Sequence, residues 1–127
     1  MDQAILVNLE IDRGAELLAL LEQAQLRISV ALYANLSEYG DWRLVLAARA
    51  FDELKIRQAY GLLFDSLSAA GFGLEKVPVT LILSMTDPFI KELRKKFAKA
   101  KNVEGMRLGG QLIGGRWVDD AYVYLIR

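Results

Sequence analysis

The densest group of residues able to do chemistry in this chain lies at its end. In GGRWVDDAYVYLIR, residues 114–127, two adjacent aspartates, Asp119 and Asp120, interrupt an aromatic and apolar run. Adjacent carboxylates could serve as an acid/base pair or as oxygen ligands for Mg²⁺ or Ca²⁺. The commoner chemistries are excluded by residue type: the chain has no cysteine and no histidine, hence no thiolate, no imidazole base and no usual zinc ligand. Successive residues of a regular strand point to opposite faces, so the two carboxylates are not expected to converge. With Gly114-Gly115 as a two-residue turn, position 113 lies opposite 116, which sets Gly110 against Asp119 and Gly109 against Asp120. Glycine within a strand marks a bulge or a close backbone approach. The aspartates are therefore read first as structural, accepting from local backbone or pairing with Arg107 or Arg116, then as a partner contact, and last as catalytic or metal-binding.

Three other groups invite a functional reading. KELRKKFAKAK, 91–101, carries Lys91, Arg94, Lys95, Lys96, Lys99 and Lys101 against Glu92, opposite Ile90, Leu93 and Phe97. This is how an amphipathic surface helix is built, and it is also a possible phosphate-binding face; no aromatic interleaves it for base stacking. Tyr33, Tyr39, Trp42 and Arg43 cluster around a first hairpin, and Trp117, Tyr122 and Tyr124 lie in the last strand. Aromatics with arginine are enriched in protein interfaces, and they are equally needed in a small core. Ser84 and Thr86 in SMTDP lie at a strand-to-helix turn where free N–H groups could hold an anion, unless Asp87 already caps them. No nucleotide-binding glycine pattern is present: Gly71 and Gly73 lack its spacing. No cofactor is assigned.

The elements that must position these residues follow from periodicity. AILVNLEI, residues 4–11, alternates Ile5, Val7, Leu9 and Ile11 and reads as a strand or as a helical lead-in; Asp12 then suits an N-cap for a helix bearing Leu17, Leu18, Leu21 and Ala24. RISVALYANL and WRLVLAARA form a hairpin across SEYGD. FDELKIRQAYGLLFDSLSAAG is a helix capped by Asp52 and stopped by Gly71, with an Arg49–Asp52 ion pair at its start. VPVTLILSM is a strand, TDPFIKELRKKFAKAK a helix with Asp87 as cap and Pro88 at its first position. The last 25 residues make a glycine-turn hairpin. The order (β)αββαβαββ predicts one α+β domain over 1–127, a mainly antiparallel sheet of about five strands with three helices packed on it.

Composition sets the bounds. A chain of 127 residues, 54% hydrophobic and 25% charged, has enough apolar content for a core and lies far from disorder. The net charge is zero, yet residues 1–64 sum to −3 and residues 65–127 to +3, which suits head-to-tail pairing or a local basic patch. The start has no basic signal-peptide region and no run is long enough to span a membrane, so a cytoplasmic location is expected. WRLVLAAR, QAYGLL and the terminal IGGRWVDDAYVYLIR resemble a group of small uncharacterised bacterial proteins with a similar glycine turn and DAYVY-type ending; the resemblance implies a bacterial α+β domain and brings no activity, cofactor or binding residue. The expected function is a non-catalytic protein-interaction or self-association module. A nucleic-acid accessory domain using helix 91–101 is the alternative, followed by a metal-dependent enzyme using Asp119 or Asp120.

Overall fold

A computed structural model describes the backbone of residues 3–127 and the side chains of residues 7–127. Asp2 and the side chain of Ile5 lie outside the described residues. The chain runs α1 (Gln3–Gln23), β1 (Val30–Leu36), β2 (Asp41–Ala47), a one-turn α2 (Arg49–Asp52), α3 (Ile56–Ala69), a 3-10 turn at Leu74–Lys76, β3 (Thr80–Ile82), α4 (Pro88–Phe97), β4 (Arg107–Leu108), β5 (Gln111–Ile113) and β6 (Arg116–Ile126). Six strands form one sheet in the order β3-β2-β1-β6-β4, with β5 also paired to β6. All pairs are antiparallel except β2 with β3, which α3 joins as a crossover. This is the expected α+β class, with helices on both faces and six strands because the first arm of the last hairpin is broken in two. Among the described residues no helix is long and apolar enough to cross a membrane.

The apolar pattern of β1 shows why the sheet is covered twice. Val30, Leu32, Ala34 and Leu36 pack with Phe89, Ile90 and Leu93 of α4, while Ala31 and Tyr33 pack with Leu17 and Leu21 of α1 and Leu63 and Leu67 of α3. A strand buried on both sides must be apolar on both sides. β6 obeys the same rule: Val118, Ala121, Val123 and Ile126 face α4, and Tyr122, Tyr124 and Leu125 face α1 and α3. Its two-faced apolar character is thus satisfied inside the chain. Each fully buried leucine or phenylalanine in these layers contributes about 1.5–3 kcal/mol relative to exposure.

The alternative left open over residues 4–11 is decided, and several local expectations are corrected. Residues 4–11 are helical, and Asp12 sits within α1 rather than capping it, because Val7, Ile11, Leu18 and Leu21 continue one helical stripe toward the sheet. Asp52 does not cap the long helix: it closes α2, and its carboxylate accepts from the Met85 N–H at 3.0 Å, tying α2 to the loop after β3. α3 instead starts after Lys55, whose N–H donates to the Gln58 side chain. The Arg49–Asp52 ion pair does not form among the described contacts. Gly71 stops α3 as expected, at φ +79°, with Phe72 N–H reaching the Leu67 carbonyl and Gly71 N–H the Ser68 carbonyl. Asp87 caps α4 by accepting from Phe89 N–H at 2.9 Å, with Pro88 at the first position. That helix ends at Phe97, so Lys99 and Lys101 lie beyond it.

The end of α1 uses the same closing hydrogen bonds as α3, Leu26 N–H to Leu21 and Gln25 N–H to Glu22, but places Gln25 at φ +62° where glycine is preferred. Relief of the left-handed strain outweighs glycine's larger entropy in the unfolded chain. Gln25→Gly is accordingly expected to stabilise the fold by about 0.5–1 kcal/mol in urea denaturation; a loss of stability would contradict it.

Candidate functional site

The last hairpin is fixed by its turn. Gly114 and Gly115 have φ of +52° and +85°, the two positive angles of a type I′ turn, and set Ile113 against Arg116, Leu112 against Trp117 and Gln111 against Val118. The same register continues past the gap to Leu108 opposite Ala121 and Arg107 opposite Tyr122. Gly109 and Gly110 occupy the interruption, where counting from the turn places them opposite Asp120 and Asp119. A Cβ on Gly109 would stand 3.0 Å from the Asp119 carbonyl oxygen, and Gly110 takes φ +62°. Gly109 lets the backbones approach, and Gly110 supplies the left-handed turn.

On its other edge β6 is irregular. Asn35 of β1 faces Asp120 but Leu36 faces Val118, leaving Asp119 extra; Leu32 faces Val123 but Ala31 faces Leu125, leaving Tyr124 extra. These bulges change which residues share a face and correct the expectation that Asp119 and Asp120 point apart. Leu125 joins Tyr122 and Tyr124, while Ile126 joins Ala121 and Val123. Val118 and Ala121 both point into the α4 layer, so Asp119 and Asp120 between them lie on the same side of β6, not on opposite sides. They nevertheless have separate work. Asp119 accepts from the Trp117 indole N–H at 3.0 Å; Asp120 accepts from Ala121 N–H at 2.8 Å and from the Arg107 guanidinium at 2.6 Å. The Arg107–Asp120 pair is about half exposed, so its contribution to stability is small. Among the described residues no group of three or more acidic side chains is placed to hold a metal.

The aromatic residues divide into internal and exposed sets. Tyr33 is buried and stacks on Trp42 at 5.1 Å, Tyr122 meets Tyr124 edge-on at 5.1 Å, and the Tyr124 hydroxyl donates to the Ile11 carbonyl at 2.7 Å. These residues join the sheet to α1. Arg43 lies over the Tyr39 ring at 4.1 Å and pairs with Asp41 at 2.9 Å, which locks the first hairpin. Burial, then the charges of Glu10 and Asp41, push the Tyr33 phenol up to about 12, and burial chiefly moves Tyr124 the same way. A raised phenol pKa favours the neutral folded state, so this stabilisation is complete below pH about 10 and is lost as pH rises through the folded value. Urea midpoints are expected to fall above pH about 10, with a shallower fall in Tyr33→Phe; an unchanged slope in that variant would contradict the assignment.

Trp117 is 45% exposed, and its cross-strand partner Leu112 is 63% exposed. Sequence reasoning singled out Trp117 and missed Leu112, although counting from the glycine turn would have paired them. Arg116, next to Trp117, pairs with Asp87 at 3.1 Å, with Glu38, and with the Tyr39 hydroxyl at 3.5 Å. Burial alone works against its charge, and the hydrogen bonds to Asp87 and Glu38 more than offset that. The network fastens the turn end of the hairpin to α4 and to the β1–β2 turn.

Arg94 stands apart from the other basic residues of 91–101. Lys91 and Lys95 flank a shallow depression beside Pro88 and Gly114, Lys96 pairs with Glu92, and Arg94 turns away, its Nε donating to the Arg127 carbonyl at 3.0 Å. The SMTDP turn offers no free anion cradle: Thr86 N–H donates to the Ser84 hydroxyl, Asp87 N–H to the Ser84 carbonyl and Met85 N–H to Asp52. The β3 edge is closed to strand addition, because the Tyr60 hydroxyl accepts from Ile82 N–H at 2.9 Å. Comparison of the chain with protein-family models, curated proteins and solved structures gives no match.

Proposed function

We propose that the chain is a non-catalytic protein-interaction module that self-associates through the outer face of the β5–β6 hairpin. The observation that carries this reading is the exposed Leu112–Trp117 pair on a rigid two-strand ribbon. The indole is held by Asp119, so little side-chain freedom is lost on docking. An aromatic anchor beside an aliphatic one, with Arg107, Asp119 and Asp120 on the same ribbon, has the make-up of an interface centre and its polar rim. A chain of zero net charge does not repel its own copy. The carboxylates that suggested catalysis are engaged with Trp117, Arg107 and local backbone, which favours a structural role for them. Sedimentation velocity from about 1 to about 300 μM tests the reading across the range of weak and moderate dimers. A rising weight-average mass supports it; a monomer throughout overturns it.

A further inference from the structure

At the end of the sheet opposite the glycine turn lies a cavity of about 440 Å³ that no sequence motif announced. Four of the chain's nine arginines line it: Arg27 from the α1–β1 link, Arg49 from the start of α2, Arg94 from α4 and Arg127 after β6. Ser29 and Gln25 complete the polar wall. Among the described residues no aspartate or glutamate lines the cavity; Glu22, largely exposed, reaches Arg127 at 3.4 Å. Four positive side chains drawn from separate elements onto one concave surface make it attractive to an anion.

The arginines are also oriented. Arg94 Nε donates to the main-chain oxygen of Arg127 at 3.0 Å and Arg127 Nε to the Ile28 carbonyl at 2.9 Å, so two guanidinium groups are anchored by one edge to backbone; Arg94 keeps its terminal N–H groups for other partners, while Arg127 gives one to Glu22. Arg27 and Arg49 make no ion pair with any described side chain. Guanidinium forks match the oxygens of a phosphate, and several of them suit a dianion better than a single carboxylate. The volume exceeds a bare ion and falls in the range of small-molecule sites. The lining holds no aromatic ring on which a base could stack.

We infer that this cavity is a binding site for a small phosphorylated molecule, held by its phosphate group among Arg27, Arg49, Arg94 and Arg127. The site is far from the Leu112–Trp117 face and does not depend on it. The test is titration of the full chain with inorganic pyrophosphate by calorimetry and thermal melting, against sodium chloride of equal ionic strength. Saturable binding with Kd below about 1 mM is expected, weakened about tenfold or more in Arg27→Gln and in Arg49→Gln. Neither residue makes an ion pair with a described side chain, so both variants should melt cooperatively without ligand. Lys95→Gln, on the other side of α4, should bind as wild type does. Absence of saturable binding up to about 10 mM would overturn the assignment, as would affinity unchanged in both arginine variants. A second arm uses a single-stranded oligonucleotide: tighter binding to it than to pyrophosphate, lost in Lys95→Gln and kept in Arg49→Gln, would place phosphate recognition on the lysines and overturn the cavity.

Discussion

Gly114→Ala is expected to destabilise the fold by about 3 kcal/mol or more, through left-handed strain on an alanine together with overpacking. The residue sits at φ +52°, and a Cβ there would collide with the Pro88 carbonyl and the Phe89 amide at the first turn of α4. Neither neighbour can yield cheaply, because both are backbone and Phe89 is completely buried. Gly115 supplies the internal comparison: its φ is +85°, yet among the described residues nothing stands within 4 Å of a Cβ built on it. Gly115→Ala should therefore cost only the strain, about 1–2 kcal/mol. The check is urea denaturation of both variants. Equal losses would mean that the hairpin does not rest on α4 as described.

The second large effect concerns association. Leu112→Ser with Trp117→Ser should raise the Kd of self-association about 30-fold or more, the loss that follows when an interface anchor is removed. Both side chains are substantially exposed, so the double variant should keep its circular dichroism and melt within a few degrees of wild type. Arg107→Ala with Asp120→Ala alters only a half-exposed pair and serves as the surface control. An unchanged Kd in the serine variant would move the interface elsewhere.

Much of the fold was legible in the sequence because its signals are local. The glycine turn fixed the register of the last hairpin by counting alone, and the Asp87-Pro88 start of α4 and the Gly71 stop of α3 follow from the chemistry of helix ends. What was misread depends on partners distant in the chain. Asp52 looks like a cap until Met85, 33 residues away, claims its carboxylate. Asp119 and Asp120 look divergent until a bulge against β1 puts them on one side of β6. Tyr122 and Tyr124 look like contact residues until α1, from the opposite end of the chain, covers them. The arginine cavity was hidden for the same reason: Arg27, Arg49, Arg94 and Arg127 are isolated in sequence, and only the meeting of four element ends brings them together. Leu112 was the avoidable omission.

The most direct measurement is the fluorescence of Trp117 in a Trp42→Phe background, where it is the sole tryptophan, as protein concentration rises. Trp42 stacks on Tyr33, and phenylalanine keeps a ring in that place. Self-association through the hairpin face should carry the indole out of water and shift its emission to shorter wavelength, in step with the increase in mass. Emission that stays at the wavelength of an exposed indole while mass increases would place the contact elsewhere, and constancy of both would contradict self-association itself.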